Sequence, residues 1–247
     1  MKLDKKRIIG IILGVLLVVA ACLAFYFDYK NDNVEPKAPE KVATEDAKKF
    51  KQEYESLNGN TAYADIKYLN LSISEYSTVT YKTDTEIVDI LKKGTGVIYF
   101  GFNSCPWCRS MVETLLKVVE DNEIENFYYT DIKAIRSKYE VKKKKISMTT
   151  EGSEAYYDIL EILDDYLTDY VVTSDNKEYK TGEKRLYAPT VVVVKDGEIM
   201  GVHEVTVDSQ TEPFAGLNDT QKEELYDIYD EMINKLNTET CNKNTGC

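Results

Sequence analysis

The sequence predicts an α/β domain carried behind a membrane-spanning segment, and three features carry that expectation. They are an uncharged apolar run at the N-terminus, helix-period segments alternating with strand-like ones through the middle, and a turn-bounded pair of apolar strands near the end. With 247 residues the chain can bury one sizeable core or two small ones. Forty-three acidic against thirty-one basic residues give a net charge of −12, which repels nucleic acid and excludes it as the main partner. The nineteen tyrosines are scattered along the chain and read as core and strand filler rather than stacking platforms.

From Ile8 to Phe27 runs IIGIILGVLLVVAACLAFYF, twenty residues without a charge. As a helix it spans about 30 Å, the thickness of a bilayer's hydrocarbon core. Lys2, Lys5, Lys6 and Arg7 precede it against a single Asp4, so the positive-inside rule keeps residues 1–7 in the cytoplasm. The expected product is a single-pass protein of the cell membrane, anchored through residues 8–27, with its domain extracytoplasmic. Two other readings involve processing. A cleaved signal would want an Ala-x-Ala site, which is missing, and Val19-Ala20-Ala21-Cys22 resembles a lipobox that would lipidate Cys22. Leu23 to Phe27 continues apolar after Cys22, which favours an embedded, inert cysteine.

Residues 28–45 are polar, hold two prolines and read as a flexible linker. Phe50, Tyr54 and Leu57 mark a short amphipathic helix ending at Asn58-Gly59. Thr83 and Glu86 have capping-box spacing ahead of a helix burying Ile87, Ile90 and Leu91. Gly96 to Phe102, GVIYFGF, is a continuous apolar run and reads as a strand covered on both faces. Met111, Leu115, Val118 and Val119 continue at helical spacing behind the CPWC motif, and Phe127 to Ile132 makes the next strand. Lys142 to Lys145 reads as a solvated loop. Ser153 opens a helix through about Leu167, followed by a strand with a turn at Asp175-Asn176. Val191 to Val194 and Ile199 to Val205 form a hairpin around Lys195-Asp196-Gly197-Glu198. A last helix carries Leu225, Ile228, Met232 and Leu236 before a polar tail, residues 238–247.

NSCPWCRS, residues 103–110, places Cys105 and Cys108 where the apolar strand turns into a helix. Structural zinc wants four ligands, and the chain has one histidine and no second CxxC pair, so no metal is expected. A disulfide closing a two-residue loop removes little unfolded-chain entropy and stabilises little. Redox chemistry remains. Free backbone N–H groups and the dipole at a helix start favour an anion, which drives the first cysteine toward thiolate, the reactive form. Arg109, in the same turn, is expected to add positive charge and modulate that pKa.

Three parts in order resemble the thioredoxin superfamily: GVIYFGF running into CPWC, the YAPT segment with Pro189 at the start of a strand, and the VVVVKDGEI hairpin with its following helix. They cover roughly residues 80–237. YFGFNSCPWCRSM, KTDTEIVDIL and TGEKRLYAPT look similar, within it, to membrane-anchored thioredoxin-like proteins of Gram-positive bacteria, sometimes labelled bacteriocin transport accessory proteins. The resemblance implies a central mixed sheet flanked by helices over residues 46–237, with an inserted helical segment at 133–186. It implies that Cys105 is the exposed nucleophile, Cys108 the buried resolving thiol, and Ala188 with Pro189 a cis-proline loop that holds substrate. Trp107 is read either as a ring shielding sulfur or as a contact for substrate. The implied activity is protein thiol–disulfide exchange on exported proteins, with no cofactor, an unknown electron donor or acceptor, and either direction open. A non-catalytic accessory module for a secretion or transport partner is the alternative. Two departures from thioredoxin itself stand out: CPWC replaces its Cys-Gly-Pro-Cys and is closer to the Cys-Pro-Tyr-Cys of glutaredoxins, and Tyr99 stands where thioredoxin has a buried aspartate. His203 is read as structural, and Cys241 with Cys247 as either a local disulfide or a second redox pair.

Overall fold

Every residue of Gly96–Gly101 is buried, as a continuous apolar run requires when both faces of a strand are covered. The computed structural model describes residues 15–27 and 42–237. The chain divides into two units, Met1–Lys41 and Val42–Cys247. In the first, residues 15–27 are helical with exposed side chains. Residues 8–14 of the expected anchor lie outside the described residues, as do 28–41 of the linker and the tail with Cys241 and Cys247. Among the described residues no helix is long and apolar enough to cross a membrane.

The second unit begins with α1 (Glu45–Glu55), β1 (Thr61–Tyr63), β2 (Ile66–Lys67), β3 (Val79–Tyr81), α2 (Asp84–Lys93) and β4 (Gly96–Gly101). α3 (Pro106–Asp121), β5 (Phe127–Asp131), α4 (Ile132–Ile135), β6 (Lys138–Lys142), β7 (Lys145–Thr150) and α5 (Glu154–Ile162) follow. β8 (Thr168–Ser174), β9 (Lys177–Arg185), β10 (Thr190–Lys195), β11 (Glu198–Glu204) and α6 (Asp219–Asn234) complete it. Five strands form a mixed sheet in the order β11-β10-β4-β5-β3. β3, β5 and β4 run parallel, because α2 and α3 carry the chain back between them, and β10 and β11 add antiparallel.

Alternate residues of β4 and β10 feed two cores. Val97, Tyr99, Val191 and Val193 face α1, α3 and α6, packing on Phe50, Met111, Leu115 and Tyr229. Ile98, Phe100, Val192 and Val194 face α2 and α5, packing on Ile87, Leu91, Tyr156 and Ile159. The predicted caps are in place. Thr83 and Glu86 form the expected reciprocal capping box on α2, and Asn218 with Gln221, which the sequence reading did not single out, forms another on α6. Thr44 caps α1, so the folded chain starts slightly ahead of the expected linker boundary.

The inserted segment is a correction. In place of a helical insertion, residues 133–186 hold two antiparallel hairpins, β6 with β7 and β8 with β9, around the nine-residue α5. Their two-residue turns explain this: Lys143-Lys144 (φ 51 and 61) and Asp175-Asn176 (φ 49 and 56) adopt the left-handed backbone that matches strand twist. The middle of the lysine run is therefore a hairpin tip. The helix opened by Ser153 stops at Ile162, and only a short 3-10 turn, Asp164–Tyr166, continues toward Leu167.

At the far end of the sheet from the cysteines, Gly197 (φ +80) closes the β10–β11 turn directly against the Lys92 carbonyl, which a Cβ would overlap. Gly197→Ala is expected to cost about 3 kcal/mol in urea unfolding, the left-handed penalty plus the clash. Gly182→Ala, with φ +87 and nothing within 4 Å, should cost about 1 kcal/mol.

Candidate active site

The motif sits where β4 ends and α3 begins, at the edge of both cores. Cys105 is the N-cap of α3, with extended backbone (φ −76, ψ 119), and its Sγ accepts the Cys108 N–H at 3.3 Å. Pro106 fits the first helical position because the N–H it lacks has no partner there anyway. Both thiols are free. Facing them, the Ala188-Pro189 peptide bond is cis, and the Cys105 thiol donates to the Ala188 carbonyl at 3.4 Å. Cys105, Cys108, Trp107 and Ala188 are thus brought together as expected. Cys105 is nevertheless not open to solvent. It is 4% exposed, against 0% for Cys108, because the loop before β10 covers its sulfur.

The two sulfurs are driven apart electrostatically. Cys105 is held below the ordinary thiol range chiefly by the Cys108 thiol donating to it, then by the N–H groups of Cys108 and Trp107 and the charge of Arg136, against an opposing burial cost. Burial drives Cys108 well up, and the adjacent Cys105 sulfur adds to this. The first cysteine therefore ionises more readily than a free thiol, and the second keeps its proton.

Beneath Cys108 lies a floor of phenols. Tyr99 and Tyr54 share a hydroxyl hydrogen bond of 2.9 Å, and the nearby Tyr99 hydroxyl offsets part of the upward shift of Cys108. Tyr129 packs on Tyr99 with ring centroids 5.4 Å apart, and Tyr229 closes the floor with a buried hydroxyl that has no partner. Burial raises the Tyr54, Tyr99 and Tyr229 phenols far above neutrality, so they stay protonated and do not act as bases. Gly101 makes this possible: Tyr99 lies back over it, and a Cβ there would run into the ring and hydroxyl.

Arg109 does not act as expected. Its guanidinium is 1% exposed and reaches the Leu69, Tyr54 and Asn103 carbonyls and the Asn58 side chain, clamping the N-terminal extension onto α3. The cation acting on Cys105 is Arg136, just past α4. His203 is structural: its Nε2 bonds the Thr206 carbonyl at 3.0 Å and its ring meets Tyr229 edge-on. Trp107 is half-buried against the α1-side core that holds both cysteines, which suits shielding of the sulfurs. Among the described residues, no three His, Cys, Asp or Glu side chains converge as a metal site.

The chain matches no family model, no curated protein and no solved structure. The site stands on its own geometry. Arg136 and the Tyr54–Tyr99 pair were the residues that sequence reasoning missed. A helical register placed Tyr54 in a core, but only the fold carries it, from the extension, and Arg136, from the hairpin region, to the cysteines.

The depressed pKa has a direct readout. Iodoacetamide should modify Cys105 with a pH dependence that inflects below that of a free thiol, near pH 8.5, while Cys108 stays unmodified in the folded protein. Arg136→Gln should move that inflection to higher pH. Arg109→Gln should leave it in place and instead lower stability by about 3 kcal/mol, since it strands buried carbonyls.

Proposed function

We propose that this protein is a thioredoxin-like thiol–disulfide oxidoreductase, anchored through residues 8–27 and acting outside the cytoplasmic membrane on exported proteins. The observation that carries this reading is the asymmetry of the pair: a thiolate-biased Cys105 capping a helix, next to a fully buried, protonated Cys108. The sheet order, the hairpin after the Ala188-Pro189 loop and the last helix support the thioredoxin-like reading of the fold.

In the reductive direction the Cys105 thiolate attacks one sulfur of a client disulfide. A Cys105–client S–S bond forms, the client S–S bond breaks, and the departing client thiolate takes up a proton. Cys108 then attacks the Cys105 sulfur, giving up its own proton to the second client thiolate, and the Cys105–Cys108 disulfide remains. Tyr99 donates to the Cys108 sulfur as negative charge develops there, the service a hydrogen-bond donor can give without becoming a base. Run backwards, the same steps oxidise a client dithiol, and the potential of the external couple sets the direction.

Replacing each cysteine in turn tests the roles. Cys108→Ser should trap client proteins as mixed disulfides on Cys105, recovered from membranes after alkylation, whereas Cys105→Ser should trap none. Equal trapping by the two variants, or none by either, would contradict the assignment and leave the accessory-module reading.

A further inference from the structure

Resting on the exchange reading above, we infer that Lys133 and Arg136 form a cationic rim that binds a carboxylate carried by the client next to its reacting cysteine. The two side chains flank one aromatic ring at the mouth of the site. The Lys133 Nζ lies 5.4 Å from the centre of the Phe102 ring and the Arg136 Cζ lies 5.0 Å from it. Phe102 stands three residues before Cys105, and the Lys133 Nζ also reaches the Ser104 Oγ at 3.2 Å, so the charge is held beside the nucleophile.

The protein carries a net charge of −12, and lysines such as Lys51, Lys82 and Lys117 sit on carboxylates at 2.6, 3.0 and 2.7 Å. Arg136 and Lys133 have no carboxylate partner among the described residues. The nearby Asp131 caps α4 by accepting the Lys133 backbone N–H at 2.8 Å. Arg185, packed in the same wall, is committed elsewhere: it is 5% exposed, stacks on Tyr170 at 4.1 Å and donates to the Ser137 carbonyl at 2.7 Å. The Arg136 Nε is buried with no hydrogen-bond partner, a cost that an incoming carboxylate would relieve.

A guanidinium and an ammonium one ring apart offer a forked donor and a point charge to one carboxylate. An extended client segment entering past Ala188 would therefore be read for Asp or Glu within a residue or two of its cysteine. Clients with Lys or Arg there would be repelled by the same pair.

The experiment uses full-length reduced protein in a neutral detergent and two eight-residue peptides, each with one cysteine activated as an uncharged 2-thiopyridyl disulfide. One peptide has Glu on both sides of the cysteine and the other has Gln. The peptide adduct on Cys105 is quantified by mass spectrometry over time in a Cys108→Ser background common to every variant, in which the mixed disulfide is not resolved. The Glu peptide is expected to react about fivefold faster at low ionic strength, with the difference largely gone in 1 M salt. The ratio should fall to one in Lys133→Gln/Arg136→Gln and survive in Arg136→Lys. Losing Arg136 also lowers the thiolate content of Cys105, but this slows both peptides alike and cancels in the ratio. Equal rates for the two peptides with Lys133 and Arg136 both in place would overturn the rim while leaving exchange chemistry intact. No adduct from either peptide would overturn both.

Discussion

A helix that starts at the buried end of a central strand leaves its first N–H groups with little water to satisfy them. In this protein a sulfur meets that demand. The Cys105 Sγ takes the place that a serine hydroxyl or aspartate carboxylate usually fills at an N-cap. The same N–H groups that need an acceptor stabilise a negative charge on it. Capping the helix and activating the nucleophile are therefore one interaction, and the rest of the site is arranged around it.

The second cysteine lies one turn on, where α3 has already entered the core, and the environment changes completely within that turn. Met111, Leu115 and the phenols of Tyr54, Tyr99 and Tyr229 leave Cys108 fully desolvated, and the neutral thiol is the form that suits such a place. A carboxylate at position 99 would need its own compensation there. The Tyr99–Tyr54 pair supplies hydrogen-bond donors at lower desolvation cost, and a glycine two residues on gives the ring room to lie toward the sulfur. Arg109, buried in the same turn of α3, holds the N-terminal extension that delivers Tyr54.

Much of this was legible in the sequence. The continuous apolar run of β4, the Thr83–Glu86 cap and the Asp196-Gly197 turn each rest on rules that act within a few residues, and each stands as read. The misreadings concern direction and distance. Proximity in sequence made Arg109 the natural partner of Cys105, yet the helix turns its side chain toward Leu69 and Tyr54. Arg136, which does act on Cys105, is 31 positions along and arrives only because α4 follows β5, beside β4. The hairpin at 138–150 escaped because its strands are polar and largely exposed, whereas the strand and the Asp175-Asn176 turn of the hairpin at 168–185 were legible and only its extent was not. The cover over Cys105 comes from Ala188, 83 residues distant in the chain, and only tertiary structure brings the two together.

The chain has a single tryptophan, Trp107, and it stands between the two cysteines in sequence, so the protein carries its own reporter of their oxidation state. The central claim is that Cys105 and Cys108 form a reversible dithiol–disulfide couple. Equilibrating the full-length protein in graded thiol–disulfide buffers while recording Trp107 fluorescence tests it most directly. The account predicts a reversible two-electron transition, about 30 mV per tenfold change in the reduced-to-oxidised ratio, which disappears in both Cys105→Ser and Cys108→Ser. A fluorescence signal indifferent to the buffer potential, or a transition that persists after Cys108→Ser, would contradict it.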